Sequence, residues 1–291
     1  MAYRRFRTAF LLPLLLATPA LAQEQAPDPS GSPAPRIDPD MLDGDMITIG
    51  VAGGYTPSYE GSNDYVLTVV PGVRGRVSGI NFMLRGNRFS ADLIPTRGGP
   101  GWDVQLGPIA SLNFNRSVAL VDPRVSALPK RKTAIEVGGY AGIGKQGVIT
   151  SDYDKLSVNV AVTYDVSGTH SSYVVTPSID YGTPLSTTAY VGLNVSANYM
   201  GEGYADTYFS VDAAGSAAST LPVFAAHKGW KDWTVSSVGV LSLSGDLTGG
   251  LQMMAGFSYR RMLNDAAASP VTSVAGSRDQ LTGLLGLAYT F

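Results

Sequence analysis

The chain contains few residues whose types and spacing could support chemistry. Its only histidines are His170 and His227, and it has no cysteine. His170 stands two positions before Ser172, and a histidine can activate a serine as a nucleophile when a carboxylate orients the ring. Serine and histidine are also ordinary turn residues. We therefore predict a solvated hairpin at 170–172 and no catalytic residue.

A glycine-rich motif is the second candidate. Residues 142–147 read GIGKQG and match G-x-G-x-x-G, and 139–145 matches most of a phosphate-binding loop. Both motifs need a following helix whose N-terminus faces the phosphate, and the second needs Ser or Thr where Gln146 stands. The sequence predicts a turn there instead. The glycines are therefore expected to ease strand curvature and packing, and no cofactor is expected.

Composition argues against metal and nucleic-acid binding. With two histidines and no cysteine, the ordinary ligands of a zinc site are missing, so no metal is expected. The 21 basic residues balance 23 acidic ones, which leaves no basic stripe for a nucleic-acid backbone. Charged residues make up 15% of the chain, alongside 34 Gly and 15 Tyr. This profile favours a membrane barrel over a soluble enzyme.

The N-terminal 45 residues are predicted to precede the folded domain. Three arginines at positions 4, 5 and 7 come before an apolar run at 9–17, and residues 20–22 read ALA. This pattern predicts a secretory signal peptide at 1–22, because the run is shorter than the roughly 20 residues of a spanning helix. Residues 23–45 contain five prolines among Asp, Ser and Gly. They predict a disordered periplasmic lead-in.

Alternation with a period of two dominates residues 46–291. The clearest example is 155–166, where apolar residues from Leu156 to Val166 alternate with polar or small ones. Several segments reach the roughly 9–11 residues of a tilted transmembrane strand. Twelve strands are predicted, at 46–56, 65–76, 79–85, 88–94, 102–114, 132–144, 155–166, 172–181, 189–199, 233–244, 250–262 and 280–291.

The lengths of the connections support an even strand count. The three longest connections, 115–131, 200–232 and 263–279, all fall at odd-numbered positions, where loops of a membrane barrel are external. The even-numbered connections include tight turns. The sequence therefore predicts an all-β protein, a closed antiparallel transmembrane β-barrel of about 12 strands, with ten as the alternative if 79–94 is not a membrane-spanning hairpin.

The predicted wall and interior have unusual features. Pro71, Pro108 and Pro177 lie mid-strand and predict bulges or breaks in the hydrogen-bond ladder. Charges of both signs are predicted to face the lumen, which suggests a cross-linked, largely filled interior rather than a strongly ion-selective pore. They are Arg74, Arg76, Arg85, Lys155, Arg260, Asp92, Asp103, Glu136, Asp165 and Asp180.

Aromatic residues are predicted at both rims of the barrel. Tyr55, Tyr65, Tyr199, Trp233 and Tyr259 would lie near the outer rim, and Trp102, Tyr181, Tyr289 and Phe291 near the inner one. The last strand, with Tyr289 before a final Phe291, resembles the C-terminal signature of bacterial outer-membrane barrels. The resemblance implies that these two residues are the signal that the barrel-assembly machinery recognises, and that outer-membrane lipid surrounds the barrel.

Several motifs together resemble the MipA/OmpV family of outer-membrane proteins over most of 46–291. They are Tyr55-x-Pro57-x-Tyr59-Glu60-Gly61-Ser62, Tyr208-Phe209-x-Val211, Ala218-Ser219, Gly229-Trp230-Lys231-Asp232, Ser269-Pro270 and Tyr289-Thr290-Phe291. The resemblance implies an outer-membrane barrel without catalytic residues, acting as a scaffold between a murein hydrolase and a murein synthase. The alternative is a narrow porin or adhesin that acts through its long external loops. A less favoured hypothesis is a lipid-modifying barrel, since His170-x-Ser172 resembles the His and Ser of lipid A deacylases.

Overall fold

The computed structural model describes residues 45–95, 101–118 and 120–291. This part of the chain forms a closed antiparallel barrel of twelve strands, in which consecutive strands are neighbours and β1 pairs with β12. The predicted fold class and the count of twelve are thereby confirmed. The predicted signal peptide at 1–22 and the predicted lead-in at 23–45, apart from Asp45, lie outside the described residues.

Ten strands have 11 to 14 residues, whereas β3 and β4 have 6 and 5. The strands are β1 (Met46–Pro57), β2 (Tyr65–Val77), β3 (Ile80–Arg85), β4 (Arg88–Asp92), β5 (Trp102–Asn113), β6 (Ala134–Gln146), β7 (Lys155–Asp165), β8 (Tyr173–Pro184), β9 (Ala189–Met200), β10 (Gly229–Ser242), β11 (Gly250–Met262) and β12 (Asp279–Thr290).

The two ends of the barrel differ in the length of their connections. We call the end that carries the β1–β2, β5–β6, β7–β8, β9–β10 and β11–β12 connections the loop end, and the end with Met46 and Thr290 the turn end. The loop end carries short helices: α1 (Pro123–Ser126), α2 (Glu202–Phe209), α3 (Ala213–Ser219), α4 (Asn264–Ala268) and α5 (Pro270–Ser273). Within the described residues, no helix is long and apolar enough to cross a bilayer.

Small residues close the ring between the first and last strands. The β1–β12 register runs from Thr48 opposite Thr290 to Tyr55 opposite Gly283. A Cβ at Gly54 would clash with the carbonyl oxygen of Gly283 on the facing strand. Glycine at this position therefore lets the two backbones approach closely enough to pair.

The exterior carries an apolar band between aromatic rims. Leu67 and Val69 of β2 are 71% and 68% exposed, and Leu285 of β12 is 60% exposed. At the two ends, Tyr55 is 64% and Trp102 is 72% exposed. Only surrounding lipid tails make such exposure of apolar residues favourable, so the band and rims match the environment of a bilayer.

The mid-strand prolines interrupt the ladder where the sequence predicts it. The β4–β5 pairing ends at Ser90 opposite Ile109, one residue before Pro108. The β8–β9 pairing skips Pro177 and resumes at Ser178 opposite Ser196. Pro71 keeps its place opposite Val51, at the point where the short β3–β4 hairpin ends. Each proline thus lies at the end of, or at a gap in, one of its two strand pairings, where the missing N–H is best tolerated.

A charge placed on alternate faces of β7 tests this register. Val160 is 47% exposed on the exterior at the middle of the strand, whereas Asn159 faces the lumen with its Nδ2 3.3 Å from the Asp180 carboxylate. We predict that Val160→Arg lowers the yield of folded barrel, because a charge at mid-bilayer costs about 2–4 kcal/mol. Asn159→Arg carries the same charge towards Asp180 and should fold. Heat-modifiable mobility on gels measures both, and equal yields would contradict the assigned faces.

Candidate functional site

The loop-end connections pack together into a folded layer. We call the described residues of 58–64, 114–133, 166–172, 201–228 and 263–278 the cap. Two apolar clusters lie inside it, one around Tyr204, Tyr208 and Phe209 and the other around Tyr59 and Leu221. All five side chains are at most 3% exposed. The cap therefore has a hydrophobic core of its own, separate from the lipid-facing band.

Local signals in the sequence shape the cap helices. Asp122 accepts hydrogen bonds from the backbone N–H groups of Arg124 and Val125, at 2.8 and 3.3 Å, and so caps α1. Asp212 caps α3 by accepting from the Gly215 N–H at 2.6 Å. Ser269 caps α5 by accepting from the Val271 N–H at 3.3 Å, and its hydroxyl donates to the Phe209 carbonyl at 2.5 Å. These caps satisfy N–H groups that short helices would otherwise leave unpaired.

A β-bulge at the start of β10 directs two charged side chains inwards. The β9–β10 register shifts between Trp230 and Asp232, so that Lys231 is an extra residue in the strand. A bulge allows neighbouring side chains to share a face, and Lys231 and Asp232 are only 4% and 0% exposed. Strand β10 begins at Gly229, ahead of the predicted start at 233 but within the roughly 2–4 residues expected for such a boundary. The bulge accounts for the difference, because it places the charged residues 231 and 232 in the strand rather than in the loop.

An ion cluster lies beneath the cap, at the mouth of the barrel. The Lys231 ammonium is 2.6 Å from Glu60 Oε1, and Arg260 Nη1 is 3.5 Å from the same oxygen. Lys231 is also 3.6 Å from Asp232, which Arg260 Nε approaches to 3.9 Å. We call Glu60, Lys231, Asp232 and Arg260 the mouth cluster. Its two acids and two bases neutralise each other, as buried charges require.

Tyr204 of α2 joins the mouth cluster to the cap. Its hydroxyl donates to Glu60 Oε2 at 2.8 Å, and the Lys231 ammonium lies 4.7 Å from the centre of its ring. Asn115 donates to the same carboxylate at 3.2 Å. Burial tends to raise the pKa of the Glu60 carboxyl, but the charges of Lys231 and Arg260 outweigh burial and lower it below its usual range. Glu60 is thus held as a carboxylate.

The region around His170 differs from the predicted solvated hairpin. His170 is 4% and Ser172 5% exposed, so the prediction of a solvated turn is wrong for both. His170 Nε2 lies 3.3 Å from Glu136 Oε1, and its ring packs 5.0 Å from that of Tyr204. Within the described chain no hydrogen bond joins His170 to Ser172. The burial comes from α2, which covers the hairpin and which the sequence analysis did not predict.

The motif residues singled out in the sequence meet in the cap. The Tyr59 hydroxyl donates to the carbonyls of Val271 and Ala275, at 3.2 and 2.9 Å. Ser62 bonds Ser58 at 2.9 Å, and the positive φ of Gly61, +95°, suits glycine where the Thr272 side chain lies close.

The remaining motif residues mark the ends of strands. Pro57 ends β1 and Gly229 begins β10, while the exposed Tyr55 and Trp230 lie at the loop end. At the turn end, the rings of Tyr289 and Phe291 contact each other at a tilt, with their centroids 4.8 Å apart. The Phe291 N–H donates to the Ile47 carbonyl of β1 at 2.9 Å. The sequence analysis found these motifs but missed that Glu60 and Lys231, which lie inside them, form an ion pair. The sequence offered one signal of this ion pair, since each of the two motifs contains a charged residue.

The chain is similar to known outer-membrane proteins. A family model described as MltA-interacting protein MipA matches residues 49–291. No curated protein matches the sequence.

Solved structures with a similar fold include the CymD monoaromatic hydrocarbon channel. It is 9% identical to this chain with a TM-score of 0.39, and the match covers 87% of this chain and 91% of that chain. The COG4313 outer membrane channel of Pseudomonas putida F1 is 12% identical with a TM-score of 0.36, covering 91% of this chain and 100% of that one. OmpT of Vibrio cholerae is 5% identical with a TM-score of 0.33, covering 85% and 97%. Similarity this low supports no functional argument.

Removing one member of the mouth cluster should loosen the cap. Lys231→Met leaves the Glu60 carboxylate without its nearest cation, and breaking a buried ion pair costs about 3–5 kcal/mol. We predict faster chymotrypsin cleavage at the buried Tyr204 and Phe209. Lys228→Met, which changes an exposed lysine of the same connection, should leave cleavage unchanged. Equal protection in both variants would show that the mouth cluster does not hold the cap.

The lowered pKa of Glu60 predicts how the cap responds to acid. A carboxyl whose pKa is lower in the folded state contributes stability above its ordinary pKa of about 4.3, and this contribution is lost as the pH falls through the lower value. The near-ultraviolet dichroism of the packed Tyr204 and Tyr208 rings should therefore persist from pH 7 to about pH 5 and weaken below about pH 4. Glu60→Gln should show a smaller pH dependence. Loss of the signal between pH 7 and 5 would contradict this assignment.

Proposed function

Because the chain belongs to the MltA-interacting protein MipA family, whose model matches residues 49–291, we propose that this outer-membrane β-barrel is a non-enzymatic scaffold for murein enzymes. The family's description supports a partner of the lytic transglycosylase type. Family membership alone does not define a role, so the proposal depends on what the two ends of the barrel offer.

The observation that carries the proposal is the closed loop end. The cap places two buried apolar clusters and a neutral ion cluster across the mouth of the barrel. A diffusion pore needs a continuous water path, and the mouth cluster would have to separate to provide one. Separation would leave buried charges unpaired at a cost of several kcal/mol, on the order of the 3–5 kcal/mol for a broken buried pair. A barrel whose loop end is covered in this way is better suited to holding a partner than to passing solutes.

The turn end offers a surface for such a partner. Ile149 and Leu185 are 65% and 68% exposed in the β6–β7 and β8–β9 turns. Asp154 organises the first turn, because its carboxylate accepts from the N–H groups of Val148 at 2.6 Å and Ile149 at 2.8 Å. Short turns face the periplasm in barrels of this type, where murein enzymes work. A rigid turn that exposes an apolar side chain matches the apolar core of a protein interface.

The alternative is a narrow porin, and one observation favours it. Arg74 and Arg85 face the lumen and are exposed to solvent, so at least the turn-end half of the interior is accessible.

An adhesin would instead use the cap, whose folded surface is the outermost part of the protein when the turn end faces the periplasm. A lipid-modifying activity receives no support from the buried, unconnected His170 and Ser172.

Charged substitutions at the two ends test the scaffold. The detergent-solubilised protein, immobilised on beads, should retain a purified MltA-type transglycosylase. Ile149→Asp and Leu185→Asp should each weaken this binding about tenfold, in the range of an interface hot spot. Val223→Asp changes a side chain that is 64% exposed at the loop end and should have no effect. Failure of the unmodified protein to retain the enzyme, or equal loss with Val223→Asp, would contradict the proposal.

A further inference from the structure

Four arginines line one wall of the lumen on three consecutive strands. Arg74 and Arg76 lie on β2 opposite Met83 and Asn81 of β3, and Arg85 lies directly opposite Arg88 of β4. Because side chains alternate between the two faces of a strand, these residues share the inner face. The intervening residues Leu84 and Phe89 pair on the outer face.

Two of these arginines, Arg74 and Arg85, are the ones whose charge is left exposed, whereas Arg88 interacts electrostatically with Glu136. Like charges directly opposite each other on neighbouring strands destabilise a sheet, and Arg85 and Arg88 are such a pair. In the described part of the chain, neither Arg74 nor Arg85 makes an ion pair. Both side chains are exposed although they face the interior.

The carboxylates of the lumen are already engaged elsewhere. Asp103 lies 2.5 Å from the Lys155 ammonium. Asp180 accepts from Asn194 at 2.7 Å and from Asn159 at 3.3 Å. Asp92, on the same wall as the arginines, accepts the backbone N–H groups of Ile94 and Leu106, both at 3.1 Å. The predicted pairing of lumen charges thus holds for Lys155 and Arg260 but not for Arg74 and Arg85.

Among the described residues, the cap and the mouth cluster lie over the loop end, and the exposed Arg74 and Arg85 lie in the turn-end half of the lumen. Tyr190 of β9 lies across the lumen, close enough to interact electrostatically with Arg74, Arg85 and Asp180. Its hydroxyl can donate a hydrogen bond. The lumen is therefore a cup with guanidinium groups on one wall and a phenol on the other.

We propose that this cup binds a small anion that carries a carboxylate or phosphate group. The planar fork of a guanidinium donates two parallel hydrogen bonds to either group. Arg85 uses one of its five N–H donors on the Met83 sulfur at 3.4 Å, and the others are left for a ligand. The exposed positive charge of Arg74 and Arg85 inside a low-dielectric wall also attracts anions. The bound anion would offset the repulsion between Arg85 and Arg88. The site is independent of the proposed scaffold function, which uses the exposed turns.

The absence of native cysteine permits a direct test with the full-length protein. Ser90 faces the lumen opposite Met83, next to the arginines. A cysteine introduced by Ser90→Cys should react about tenfold faster with an anionic than with a cationic methanethiosulfonate reagent, at the low end of the enrichment that focused fields produce. Phosphate or succinate should slow the reaction, and the anion that protects at the lower concentration identifies the preferred group.

Substitutions of lumen and exterior arginines distinguish anion binding at this site from an effect of the overall charge of the protein. Arg74→Gln combined with Arg85→Gln should remove both the reagent preference and the protection, while transglycosylase binding stays unchanged. Arg261→Gln, which removes an exterior arginine paired with Asp279 at 2.8 Å, should keep both. Equal rates with the two reagents in Ser90→Cys alone, or protection by neither anion, would overturn the proposal whether or not the double variant folds. A preference that survives the double substitution would overturn it as well.

Discussion

The structure depends on one constraint, that every backbone polar group within a bilayer needs a hydrogen-bond partner inside the protein. An unpaired group in hydrocarbon costs several kcal/mol, on the order found for transfer to apolar media. Pairing β1 with β12 meets this requirement at the seam, and the reciprocal bonds between Ile47 and Phe291, at 3.4 and 2.9 Å, extend the seam to the turn end. The glycines of the seam and the positions of the mid-strand prolines follow from the same requirement.

The loop end adds a second layer of order to the closed ring. Glu60 comes from the β1–β2 connection, Tyr204 from α2 and Lys231 from the bulge in β10, and all three meet at one carboxylate. A buried ion pair adds little net stability compared with apolar packing, but the loss of one partner is costly. Its effect is therefore to favour one arrangement of the loops. In the turn-end half, the described residues include no comparable layer, and Arg74 and Arg85 are exposed.

Much of the barrel follows from local pattern, whereas the mouth does not. Alternation along 155–166 identifies β7 (Lys155–Asp165) within one residue, because the same period decides which face meets lipid. The cap helices have only 4 to 8 residues, too few to be stable without tertiary packing, and no periodic signal marks them. The contact between Glu60 and Lys231 joins residues 171 positions apart. The sequence around either residue gives no indication of the other. The burial of His170 likewise depends on a contact with α2, a segment that is distant in the sequence from the His170 hairpin.

In the described chain, the loop end of the barrel is covered by a folded cap that has its own apolar core. Hydrogen–deuterium exchange of the protein in lipid nanodiscs measures this directly, since amide protection reports the local stability of each segment. We expect the amides of α2 and of the following 211–226 to exchange slowly, approaching the protection of the neighbouring strands β9 and β10. Rapid exchange throughout 201–228, beside a fully protected barrel, would show that the cap is not folded and that the mouth is not closed.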